Sequence, residues 1–243
     1  MWFFTADLHL NHSNIIKYSK RPFMNQIELG LMELVDNGSI PLSEISISKE
    51  STQLMTDAII DSINAVVGRR DKLIIIGDFC YSRSKDREKY VGSLRSRINC
   101  QNVHLIIGNH DDRKVCEKFF ECADQYMFNV NGQQIFTNHY PCRSWNKRLH
   151  GSWMLYGHVH GAYCAEDING MSLDQENKIR ENFSFFIKDP IVVDTMIETI
   201  RSSKPKLKTL DVGVDNRRDG IPFGTPWSFD EIKKYMNILT QLS

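Results

Sequence analysis

The chain lacks any apolar run near the ~20 residues that a membrane-spanning helix needs. Its first ten residues, MWFFTADLHL, are apolar only briefly and carry no basic leader, so they do not read as a secretory signal. The six cysteines include no C-x-x-C pair. They are read as reduced thiols of a cytoplasmic protein, not as a disulfide framework or a structural zinc site. Neither sign of charge is in excess, with 30 Lys and Arg against 30 Asp and Glu. Proteins that coat duplex nucleic acid usually show a basic surplus, so tight duplex binding is not expected. There is also no internal repeat and no long low-complexity tract.

The composition that remains is that of a soluble globular chain. It has 243 residues, 41% of them hydrophobic and 25% charged. A domain of this length buries roughly 70–75% of its unfolded surface. One α/β domain over residues 1–243 is expected, with additions at about 25–50 and 164–207. Six β-like runs, rich in β-branched and aromatic residues, cover 2–7, 72–78, 103–109, 133–139, 152–158 and 208–215. A helix is expected over 51–68, with Leu54, Met55, Ala58, Ile59, Ile63 and Val66 on its apolar face. Asp112 is expected to cap a second helix through RKVCEKFFECA, with Val115, Phe119 and Cys122 inward. The SFDE at 228–231 reads as a capping box before a third helix, with Ile232, Tyr235, Met236 and Leu239 docked on a sheet.

Five of the six runs end in the same kind of residue. They stop at Asp7 and His9; at Gly77-Asp78; at Gly108-Asn109-His110-Asp111; at Asn138-His139; and at Gly157-His158-Val159-His160. Functional groups of α/β sheets gather at one end of the strands, where loops project. Carboxylates crowded there would repel one another unless cations intervened. Imidazole with carboxylate and amide oxygen suits borderline first-row ions. Seven ligands exceed the four of a tetrahedral zinc, and match two ions sharing a carboxylate. Glycines 77, 108 and 157 fit turns that swing a ligand inward.

This ordered set resembles the calcineurin-like metallophosphoesterases, whose signature is D-x-H, G-D, G-N-H-[DE], a lone His, and G-H-x-H. The stretch DLHLNHSNIIKYSKRPF and the closing LDVGVDN resemble small bacterial and phage-type members. The resemblance implies a two-sheet β-sandwich flanked by α-helices. It implies that Asp7, His9 and His160 hold one metal, that Asn109, His139 and His158 hold the other, and that Asp78 bridges them. Mn²⁺ is the favoured ion, with Fe, Zn or Ni as alternatives. His110 matches the family's catalytic histidine, with Asp111 polarising or orienting it.

The implied chemistry is attack of an ionised bridging water on phosphorus, with His110 as general acid toward the leaving alkoxide. A phosphodiester acting as a nucleotide-like substrate is the leading expectation. The competing readings are a phosphomonoesterase or protein phosphatase, and a non-catalytic scaffold on the same fold. The presence of His110 and all seven ligands weighs against the scaffold. His12, Arg21 and Arg143 are expected to contact substrate phosphate, against a capped turn for His12 and surface salt bridges for the arginines. Arg113 is read as the exposed face of its helix. Tyr140 and Trp153 are read as core packing in preference to base stacking.

Overall fold

The apolar runs become strands because β-branched and aromatic side chains fit a pleated surface with neighbours on both faces. The computed structural model describes residues 1–81, 86–162, 180–181, 187, 189–203 and 208–241. The chain opens with β1 (Trp2–Thr5), α1 (Ser13–Tyr18), α2 (Gln26–Asp36) and α3 (Lys49–Val66). It continues through β2 (Lys72–Ile76), α4 (Arg87–Ser96), β3 (Asn102–Ile106), α5 (Arg113–Cys116) and β4 (Glu121–Ala123). Then come β5 (Gln125–Val130), β6 (Gln133–Asn138), β7 (Trp153–Tyr156), α6 (Pro190–Ser203), β8 (Thr209–Asp211), β9 (Trp227–Ser228) and α7 (Phe229–Gln241).

The strands form two sheets, in the orders β4-β3-β2-β1-β9 and β5-β6-β7-β8. Within the first, β1 to β4 are parallel and β9 is antiparallel. Within the second, β6, β7 and β8 are parallel and β5 is antiparallel. The period of two along each strand sorts the core. Phe3, Leu73, Ile75 and Leu105 face the helices, meeting Ile59, Ile60 and Ile63 of α3. Their neighbours Phe4, Ile74, Ile76 and Ile106 face the other sheet, meeting Ile135, Leu155 and Leu210. A third cluster, with Phe136, Met154, Tyr156 and Trp145, forms around the second sheet. This is the expected mixed α/β sandwich flanked by helices.

Several local expectations change. In α3, Leu54 and Val66 are exposed, and Thr52, Thr56 and Ile60 join the inward stripe. The helix expected through 113–123 stops at Cys116, and Glu121–Ala123 pairs with β3 instead. Asp112 does cap it, accepting from Val115 N. Val115, Phe119 and Cys122 still pack against the core. The turn-rich reading of 25–50 missed α2, whose Asn25 and Glu28 form a full capping box. Glu28 also accepts from Ser48 N and Ser51 Oγ, tying α2 to the start of α3. Most of 164–189 and all of 204–207 lie outside the described residues, as does Cys164. The five described cysteines are free thiols. Ser228 and Glu231 box the start of α7, and Ile232 and Met236 are buried in the same cluster as the facing sides of the two sheets; the side chain of Leu239 lies outside the described residues. Among the described residues, no helix is long and apolar enough to cross a membrane.

Candidate metal centre

Parallel strands deliver their C-terminal ends to one edge of a sheet. The bridge between Ala6 and Gly213 shows that this edge of the first sheet meets that of the second. Just past these ends the backbone turns sharply. Asp7, His9, Asp78, His158 and His160 all take positive φ, between 47° and 72°. Few non-glycine residues adopt this conformation, which costs roughly 1–2 kcal/mol per residue and persists only where surroundings over-determine it. The neighbouring glycines work in two ways. Gly77 has φ +88°, and a Cβ there would also strike the His139 ring. Gly108 needs no unusual φ; a Cβ there would run into Asp78. The expectation of sharp glycine turns therefore holds at Gly77, while at Gly108 the need is for space.

Three overlapping groups bring ligand atoms within 4.8 Å of one another: Asp7, His9 and His160; His9, Asp78 and His110; and Asp7, Asp78 and His139. Asn109 joins through its amide oxygen, 3.1 Å from His139 Nε2 and 3.0 Å from His158 Nδ1. Asp78 Oδ2 lies 3.3 Å from His9 Nε2 and 3.5 Å from His139 Nε2. One carboxylate oxygen thus stands between the two imidazole sets. His9 Nε2 is buried without a hydrogen-bond partner. A buried polar atom in that state carries a desolvation cost that a cation would relieve.

The charges fit the same picture. Burial pushes the Asp7 carboxyl up to about 7, with His160 and His139 opposing. Burial drives His9 down to about 2, leaving a neutral imidazole of the kind metals take. Burial would raise Asp78, but hydrogen bonding and attraction from His139 hold it at about 2. Burial would lower His139, but the same partner lifts it to about 9. Burial lowers His12 to about 4, with His110 adding to the effect.

The other expected site residues are distributed unevenly. His12 is half-buried, with Nδ1 3.2 Å from His9 Nδ1 and its ring stacked on Tyr81 at 4.2 Å. His110 is exposed, its ring 5.0 Å from that of His9, and its backbone N donates to Asp78 Oδ1. Asp111 does not serve the His110 ring. Its carboxylate accepts from the backbone N–H groups of Asp78, Phe79 and Gly108, stapling the β2 and β3 loops. Arg21 is fully buried, bound to Asp215 and to the carbonyls of Asp7 and Leu8, so its guanidinium is spent inside the protein. Arg143 is exposed on the loop after β6. Arg113 pairs with Glu117 and Asp124 at the surface. Trp153 is core, as expected, but Tyr140 is 46% exposed, with its ring 4.5 Å from that of His158.

Two further carboxylates outside the expected set join the site: Asp211, the last residue of β8, and Asp215, in the loop that follows it. Asp211 accepts from Gly161 N and Gly213 N, fixing the loop after His160. Asp215 holds His160 Nδ1 at 2.7 Å. Their signal in the sequence is the same as elsewhere, an apolar run, TLDVGVD, that ends in carboxylates.

A family model described as calcineurin-like phosphoesterase matches residues 3–221. The uncharacterized protein MJ1445 of Methanocaldococcus jannaschii is 27% identical over 201 residues, covering 82% of this chain and 90% of that protein. The crystal structure of a protein of unknown function, AQ665 from Aquifex aeolicus, superposes with a TM-score of 0.53 at 17% identity, covering 97% of this chain and 98% of that one. The second likeness is one of fold.

Proposed function

Because the chain belongs to the calcineurin-like phosphoesterase family, we propose that it is a two-metal phosphodiesterase acting on a nucleotide or nucleic-acid-derived ester. The observation that carries this reading is the position of Asp78 Oδ2, 3.3 Å and 3.5 Å from imidazole nitrogens of two ligand sets. Asp7, His9 and His160 would hold one divalent cation, and Asn109, His139 and His158 the other, with Asp78 shared. His9 Nε2, buried without a hydrogen bond, and the mixed N/O donors fit such ions. Mn²⁺ is the favoured ion, with Fe, Zn or Ni served by the same donors. When bound, the pair supplies an activated water and neutralises charge on the phosphate oxygens.

The chain's own groups would do the rest. The exposed His110 imidazole stands beside the ligand cluster and donates a proton to the leaving alkoxide, which is too basic to depart unaided. His12, whose ring rests on Tyr81, would face the phosphate. Arg143 offers an exposed guanidinium, and Tyr140 an exposed ring beside His158 for the leaving group. The balanced net charge goes with a small or single-stranded ester in the cytoplasm more than with duplex nucleic acid.

The test is hydrolysis by metal-stripped protein with Mn²⁺ restored, comparing bis-p-nitrophenyl phosphate with p-nitrophenyl phosphate. Metal-dependent diester cleavage is expected. On a diester with an unactivated alkoxide leaving group, such as a dinucleotide, His110→Ala should lower cleavage by roughly 10²-fold or more, the usual scale for a lost general acid, with a smaller loss on the p-nitrophenyl ester, while metal binding persists. A preference for the monoester would replace the reading with a phosphomonoesterase. Absence of metal binding would overturn it.

A further inference from the structure

The two-metal reading leaves a buried pair unused, although it touches two of the ligand-bearing loops. Arg21 and Asp215 stand 194 positions apart, yet their side chains are 0% and 2% exposed. Arg21 Nε donates to Asp215 Oδ1 at 2.9 Å and Nη2 donates to Oδ2 at 2.7 Å, a bidentate fork. The same guanidinium donates to Asp7 O at 2.7 Å and Leu8 O at 2.9 Å. Those carbonyls belong to the turn that holds Asp7 and His9 at positive φ. Asp215 Oδ2 also faces His160 Nδ1 at 2.7 Å.

A buried charge pair is weak evidence for stability, because desolvation offsets much of the attraction. This one is better accounted for by what it orients. A carboxylate on one ring nitrogen of a ligating histidine fixes its tautomer and aims the other nitrogen outward. With Nδ1 engaged by Asp215, His160 presents Nε2 to the group it forms with Asp7 and His9. Arg21 fixes Asp215 and, through the two carbonyls, the other two members of that group.

We infer that Asp215 and Arg21 are positioning residues for the metal held by Asp7, His9 and His160, and not for the metal held by Asn109, His139 and His158. This rests on the two-metal reading above. The experiment is calorimetric titration of metal-free full-length protein with Mn²⁺, repeated with Co²⁺ while its visible absorption is recorded. Wild type should bind two ions. Asp215→Asn should weaken one site by 10- to 100-fold, the usual scale for loss of an outer partner. It should leave the other site unchanged and alter one component of the Co²⁺ spectrum. If D215N does not fold, D215E carries the same test. It keeps a charge for Arg21 but displaces the carboxylate from His160 Nδ1.

Two sites of wild-type affinity in a folded variant would overturn the inference and leave Asp215 as a counter-ion for Arg21 alone. Equal weakening of both sites would overturn its selectivity. No binding by wild type would instead defeat the two-metal reading itself.

Discussion

At the scale of the residue, the centre is set by what the backbone tolerates. Five candidate ligands share an unusual φ, and the glycines beside them leave room that any side chain would fill. Gly108→Ala should therefore push Asp78 away from His9 and His139. We expect loss of metal binding in titration, with destabilisation of about 1–3 kcal/mol from overpacking. Gly30→Ala is the contrasting case. Gly30 lies inside α2 with nothing near its would-be Cβ, so stability should rise by roughly 0.5–1 kcal/mol in urea denaturation. Metal binding should not change.

At the scale of the element, the helix face of the first sheet rests on α3. Ile60 is 1% exposed and packs in the cluster beneath Leu73 and Ile75. Ile60→Ala should cost about 2–5 kcal/mol, read from the denaturation midpoint. The ligands were legible in the sequence because each closes an apolar run, and a run's end is local information. Where the chain departs from the reading, two local signals competed. Val115, Phe119 and Cys122 fit a helical period, yet the chain turns over residues 117–120 and then forms a strand paired with β3, a partner distant in local pattern. The Asp-Asn-Gly run near residue 37 is a strong turn signal at the end of α2, and the Asn25–Glu28 box that starts the helix is the weaker local pattern. Arg21 was misplaced for a different reason. Its partner is fixed by tertiary structure, and no local pattern distinguishes a substrate-facing arginine from a buried one.

At the scale of the whole molecule, protonation and metal binding are linked. Asp7 has its folded pKa raised from 3.8 to about 7, so its contribution to metal-free stability is fully present below about 3.8 and is lost as pH rises through about 7. His139 is raised from 6.5 to about 9, so its contribution is present below 6.5 and lost through about 9. Asp78, held at about 2, contributes above 3.8 and fails only as pH falls through about 2. Metals take the deprotonated ligands, so binding must displace protons from Asp7 and His139. The gain in Tm from a fixed Mn²⁺ concentration should therefore be larger at pH 8 than at pH 5.5, by thermal denaturation with and without the ion. A gain that shrinks as pH rises would contradict this.

The long span between Arg21 and Asp215 has a consequence for biosynthesis. All seven candidate ligands have been translated by residue 160, yet the carboxylate that steadies His160 emerges only 55 residues later. A nascent chain paused before residue 215 carries every ligand and lacks the clamp. If Asp215 positions His160, the site of Asp7, His9 and His160 reaches its full affinity only after residue 215 is made, while the site of Asn109, His139 and His158 has all of its ligands by residue 158.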